Sequence, residues 1–225
     1  MQPTAPAVGV RARGQAPTCQ VLPPDFPGFQ RYCPYTRRPA PGGAWTGPDL
    51  ARARRLVEAS GTKGEQVTIW VPDNHRGEAP FAAALLRSVG YRARIKRVGN
   101  TTFYDPRRGP LNPRLGAQAG LFSWFADYPA ASNYMGSFFS CRGTSNWSEF
   151  CNRGIETRMD RALVLQTTDP YLANQLWARV DRAIVKEAPV VPLVSLKQVD
   201  LVSRRVGNYQ YNPQWGVLLD QLWVK

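Results

Sequence analysis

Residues 67–97 read VTIWVPDNHRGEAPFAAALLRSVGYRARIKR, and the change of apolar period inside them decides the fold class. VTIWV is a short β-prone run that Pro72 stops. From Glu78 the apolar positions Phe81, Ala82, Leu85, Leu86 and Val89 repeat at helical spacing, and Gly90 ends them. Tyr91, Ala93 and Ile95 then alternate with Arg92, Arg94 and Lys96, as in a strand with one buried face. Strand, helix and strand within about 30 residues predict a βαβ unit and an α/β fold.

Working outward, a third strand is expected over 119–124, after the Pro-rich loop 105–114. Two helices should follow. One puts Ile155, Met159, Ala162 and Leu163 on a single face; the other opens at Asp169-Pro170 and carries the stripe Leu172, Leu176, Val180 and Ile184 until Pro189. That stripe reads as core. Residues 190–196 and 199–202 read as strands, and the closing VLLDQLWVK (217–225) as a last one. Before the βαβ unit, Asp49 is a plausible N-cap for a helix with Leu50, Ala53, Leu56 and Val57 on one face, ended by Gly61. Residues 1–48 are too rich in Pro and Gly to be helical.

At 225 residues, 43% hydrophobic and 20% charged, the chain can bury a core and is not disordered by composition. No run of about 18 apolar residues exists, which excludes transmembrane helices. Residues 1–20 hold no apolar core of a secretion signal, so no signal peptide is expected within this chain. The formal charge of +13 raises nucleic acid or an anionic surface as a partner. The 24 Arg and 5 Lys are nevertheless scattered. The densest clusters, Arg52 with Arg54 and Arg55 and Arg92 with Arg94, Lys96 and Arg97, lack the interleaved aromatics that stack on bases. They read as solvated faces, with at most weak, sequence-indifferent DNA binding.

Four cysteines form two close pairs, Cys19 with Cys33 and Cys141 with Cys151. Neither has C-x-x-C spacing, so a zinc or redox site is poorly supplied and no metal or cofactor is expected. Three disulfide connectivities are possible, of which closing the two local loops is the simplest. Two bridges would argue for an oxidising compartment. Catalysis needs a nucleophile, a base and a group to orient them. The one histidine, His75, lies in the polar turn DNHRGE and reads as an exposed loop residue rather than a triad base. No G-x-S-x-G and no phosphate-cradling glycine loop is present. A secreted hydrolase built on paired carboxylates needs no local motif and stays open.

The unusual stretch is 121–151, LFSWFADYPAASNYMGSFFSCRGTSNWSEFC, which sets nine aromatic residues around one early acid, Asp127. Ligand sites in α/β sheets open at the carboxyl ends of strands, and an aromatic wall with one negative charge suits an amphipathic cation. The alternative is an aromatic core with Asp127 capping the next turn.

The run SWFADYPAASNY, followed by FFSC and NWSEFC, resembles the corresponding stretch of the family 5 extracellular solute-binding proteins, the peptide, dipeptide and nickel receptors of ABC importers. VLPPDFPGFQRYCPYT, PDLARARRLVEASGTKG and VDRAIVKEAPVVPL extend the likeness along most of the chain. The resemblance implies a non-enzymatic receptor, extracytoplasmic, whose two lobes close on a peptide or similar small solute for delivery to a membrane permease. It implies that Asp127 pairs with a peptide α-ammonium and that Trp124 lines the pocket; Tyr128 and Tyr134 join them as candidate ligand-binding residues. It also implies a Cys141–Cys151 disulfide. Family members are about twice as long or more. The expected fold is therefore the second lobe of a type II periplasmic-binding-protein-like fold over 49–189. Residues 1–48 and 190–225 would be a remnant of a first lobe whose remainder, an N-terminal lobe, is missing. That remnant should expose apolar residues such as Leu193, Leu218 and Leu219.

Overall fold

A computed structural model describes residues 15–105, 107–110, 112–196, 200–212 and 216–225. They form two compact units. The first comprises Tyr35–Arg38 and Thr46–Trp124; the second comprises the segment ending at Pro34, Pro39–Trp45 and Phe125–Lys225. This partition is by compactness and differs in kind from the lobe boundaries the resemblance suggests.

In the first unit, β2 (Gln66–Pro72) lies between two parallel partners, β3 (Arg92–Val98) and β4 (Ala119–Gly120), with Ile69 opposite both Ile95 and Ala119. The strand before them in the chain, β1 (Gln15–Pro17), belongs to the second unit. Helix α2 (Ala79–Ser88) makes the crossover, with proline in its first turn where no N–H is needed. Ile69, Val71, Ala79, Ala83 and Ala93 form the core, closed by Leu86, Ile95 and Leu121. Arg92 and Arg94 of β3 face out, as their alternation predicts. Helix α1 (Leu50–Ala59) starts where expected: Asp49 Oδ1 accepts from Arg52 N at 2.9 Å, and Gly61 leaves it at φ +74°. Its apolar face is not core, however. No residue of α1 is buried, and Leu56 is 61% exposed.

The third strand is shorter than its expected span of 119–124. Leu121 N still donates to Trp70 O at 3.1 Å, and then the chain leaves the sheet. The reason is the partner: continuing the register would set Phe122 beside Pro72, which has no N–H to give. Residues 121–126 are thereby released as irregular chain. The short helix α3 (Asn100–Phe103) completes this unit.

The second unit is built on α4 (Ala131–Phe139), α5 (Arg153–Thr168) and α6 (Pro170–Glu187). Asp169 alone joins α5 to α6. Its N–H donates to Leu165 O at 2.7 Å while its Oδ1 accepts from Leu172 N at 3.0 Å, ending one helix and capping the next. On α5, Ile155, Met159 and Ala162 are buried, but Leu163 is not. On α6 the buried line is Ala173, Trp177, Val180 and Ile184, with Leu172 and Leu176 only half-buried. The stripe is rotated toward Trp177 because the indole has more apolar area to bury than a leucine. Ala188, in a left-handed conformation at φ +54°, turns the chain out of α6 before Pro189.

β5 (Val194–Leu196) pairs antiparallel with β1. The expected strand 190–196 begins only at Val194, since Pro189 and Pro192 cannot donate to a ladder. Of the expected strand 199–202, Val199 lies outside the described residues and 200–202 are irregular. The C-terminal run is not one strand. β6 (Val206–Gly207) pairs with β9 (Trp223–Val224), and β7 (Tyr211–Asn212) pairs with β8 (Gly216–Val217), so a turn at Leu219–Gln221 must separate β8 from β9. Gly207 is required there: a Cβ would enter the Trp223 indole. Of the three leucines expected to be exposed, Leu219 is 75% exposed and Leu193 and Leu218 are half-buried.

Both local disulfides are present, Cys19–Cys33 with Cα atoms 5.0 Å apart and Cys141–Cys151 at 4.6 Å. Among the described residues no helix is long and apolar enough to cross a membrane.

Candidate functional site

Asp127 sits on the loop that leads into α4, and its carboxylate is exposed. Its partner is Asn133, in the first turn of α4 and 1% exposed. Asn133 Nδ2 donates to Asp127 Oδ2 at 3.0 Å, and Asn133 Oδ1 accepts from the Asp127 backbone N–H at 3.2 Å. Two antiparallel hydrogen bonds thus close the loop on a buried amide. Asp127 does not cap the helix: the N-cap is Ala130, without a side-chain cap bond. The hydrogen-bond partner of the carboxylate is thus an amide and not a second carboxylic acid.

The aromatic residues around it divide. Phe138 and Phe139 are buried and meet Trp147 and Phe150 edge-on, at centroid distances of 5.9 and 6.3 Å, as core. Tyr128 is exposed, with its hydroxyl accepting from Ser132 Oγ at 3.4 Å. Tyr134 is half-buried against Phe26 in a T-shaped pair at 5.3 Å, and burial raises its phenol above the ordinary tyrosine range. Trp124 is half-buried and is the last residue of the first unit, whereas Asp127, Tyr128 and Tyr134 belong to the second.

His75 departs from the sequence reading. It lies in a 3-10 turn after β2 with its side chain 14% exposed, and Nε2 is 3.1 Å from Ser123 Oγ. The turn folds the ring under the segment leaving β4 instead of presenting it to solvent. Its Nδ1 is 3.7 Å from Glu78 Oε2, beyond hydrogen-bond length, so the ring is not held as a triad base is. It ties the ends of β2 and β4 together.

Sequence reasoning missed Asp181. This carboxylate on α6 is 1% exposed and accepts four hydrogen bonds from neutral donors: Val21 N (3.0 Å) and Tyr32 Oη (3.3 Å) on Oδ1, Gln20 Nε2 and Leu22 N (both 3.2 Å) on Oδ2. Burial raises its pKa, and the four bonds pull it back only in part. It anchors the Cys19–Cys33 loop to α6. The available signal was an acid at position i+4 from Trp177, on an otherwise apolar face. A shallow groove of about 410 Å³ between Gly28–Gln30 and the Asn174–Arg182 side of α6 contains none of the candidate residues. Among the described residues no group of three His, Cys, Asp or Glu could hold a metal ion.

No protein-family model matches the chain, and no curated protein sequence matches it. Solved structures do. Clavulanic acid biosynthesis oligopeptide binding protein 2 superposes with a TM-score of 0.74 at 22% identity, over 96% of this chain and 40% of its own. The murein tripeptide binding protein MppA of Escherichia coli gives 0.72 at 18%, over 94% and 40%. The dipeptide binding protein of Pseudoalteromonas sp. SM9913, solved with Met-Leu, gives 0.71 at 21%, over 94% and 41%. The chain therefore has the α/β fold of the periplasmic binding proteins, the fold that the sequence resemblance implies. It spans about two-fifths of the length of the proteins it matches.

Proposed function

We propose that this chain is the C-terminal portion of a family 5 extracellular solute-binding protein, the component of an ABC importer that captures a peptide or similar small solute for a membrane permease. The observation that carries the proposal is Asp127, an exposed carboxylate on a loop fixed by a buried amide, with Tyr128 beside it. An ionised carboxylate is an acceptor only, and a peptide α-ammonium is the complementary donor. Tyr128 and Tyr134, in the same unit as Asp127, supply apolar surface for the adjoining side chains. Similarity of fold to peptide-binding proteins supports a binding rather than an enzymatic role. The two disulfides support an extracytoplasmic home. In this reading 49–189 is the second lobe, and 1–48 and 190–225 belong to the first; the pairing of β1 with β5, which joins those two end segments, supports that division.

Calorimetric titration of the chain with the dipeptide Ala-Phe tests this. Binding is expected, and Asp127→Asn should weaken it by up to about five-fold, since a solvent-exposed ion pair is worth about 0–1 kcal/mol. Equal affinity in both proteins returns Asp127 to the role of a loop residue.

A further inference from the structure

We infer that Asn133 is a positioning residue that makes Asp127 selective for a primary ammonium, an inference that rests on the receptor reading above. Asn133 is buried while the carboxylate it holds is exposed. A polar side chain taken out of water is stable only when its hydrogen bonds are made, and two of those of Asn133 go to Asp127, one to the backbone N–H and one to Oδ2. The pair of bonds fixes both the loop and the rotation of the carboxyl group. With the amide on Oδ2, Oδ1 accepts no hydrogen bond among the described residues and is left as the acceptor for an incoming cation.

The alternative for Asn133 is to cap α4 or to satisfy a buried helix end, but the helix begins at Ala131 without any side-chain cap bond. Two of its hydrogen bonds serve the presentation of one charge. A free, rotating carboxylate loses more entropy on ion pairing than one already held, so pre-organisation is the gain that Asn133 supplies. The effect is specific to the charged group of the ligand. It should be absent for a ligand whose amine is blocked.

The test is nuclear magnetic resonance titration of the chain with Ala-Phe and with N-acetyl-Ala-Phe, using wild type, Asn133→Ala and Asp127→Asn. The expected result is that wild type prefers the free amine by up to about five-fold, and that both variants bring the ratio close to one while binding of the acetylated peptide changes little. A purely structural role would lower both peptides together or neither. If Asp127→Asn abolishes the preference and Asn133→Ala keeps it, the inference is overturned and the receptor reading stands. If wild type shows no preference, the ammonium reading itself falls, and the inference with it. Should Asn133→Ala not fold, the side-chain amide resonance of Asn133 in wild type decides: it should shift on adding Ala-Phe and not on adding the acetylated peptide, and an unmoved resonance overturns the inference.

Discussion

Asp181 puts a carboxylate on the face of α6 that otherwise buries Trp177, Val180 and Ile184, and it survives there because four donors converge on it. Asp181→Asn replaces one acceptor oxygen with an amide that faces two donors. Each donor orphaned in this way costs about 1–3 kcal/mol, to be read from urea unfolding. The pH dependence has a definite sign. Because the folded pKa is raised above the ordinary 3.8, the contribution of Asp181 is fully present below that value and is lost as pH rises through the folded pKa. The stability advantage of wild type over Asp181→Asn should therefore shrink as pH rises from the ordinary 3.8 through the raised folded value; an advantage that grows with pH contradicts the assignment. A second residue-scale expectation concerns Tyr209, whose hydroxyl donates to Asp200 Oδ2 at 2.6 Å and is pushed up to about 12. In an alkaline absorbance titration Asp200→Asn should return one tyrosine toward 10.0, the ordinary value. An unchanged curve removes the bond.

At the scale of elements, the junction of α5 and α6 rests on one residue. Asp169→Ala removes the N-cap of α6, and a loss of about 1 kcal/mol is expected, with no change of fold. Leu56→Ala on the exposed face of α1 should stay within about 0.5 kcal/mol. Thermal melts of the two variants separate these cases, and a larger loss at Leu56 would mean that α1 is covered in solution. The contrast explains a limit of pattern reading. Both helices announce themselves by a cap and an apolar stripe, yet only packing decides whether the stripe is core. In the loop 141–151, Asn146 bonds Ser140 O and Phe150 O and accepts from Phe150 N, while Glu156 on α5 accepts from Ser140 Oγ and Cys141 N. The disulfide therefore closes a loop that polar side chains already shape.

At the scale of the whole molecule, both bridges lie in the second unit, and each removes loop entropy worth about 3 kcal/mol in the chain-entropy model. Reduction should lower the unfolding midpoint of that unit, followed by hydrogen exchange in α5 and α6; unchanged protection there would show that the loops are held without the bridges. Near the C-terminus, Leu201, Leu219 and Val224 are exposed, and the two-stranded pairs there have edges unpaired among the described residues. Such surfaces favour self-association. Sedimentation should show weight-average mass rising with concentration, and a constant monomer mass would mean that these edges are protected.

The sequence by itself determined the parts whose physics is local. The βαβ unit is legible because strand and helix periods differ, the helix starts at Asp49 and Asp169 because a side-chain oxygen caps the next turn, and the α/β class because β2, α2 and β3 follow in order. The pairing Cys19–Cys33 was the simplest closure and is the one formed. What tertiary structure decided depends on partners distant in the chain. β4 stops early because its neighbour there is Pro72, and the last nine residues break into turn and strand because β8 and β9 have different partners. His75 leaves solvent because Ser123, 48 positions away, meets it. Asp181 and Asn133 stayed unread for the same reason: a polar residue on an apolar face has meaning only through the donors and acceptors that folding brings to it.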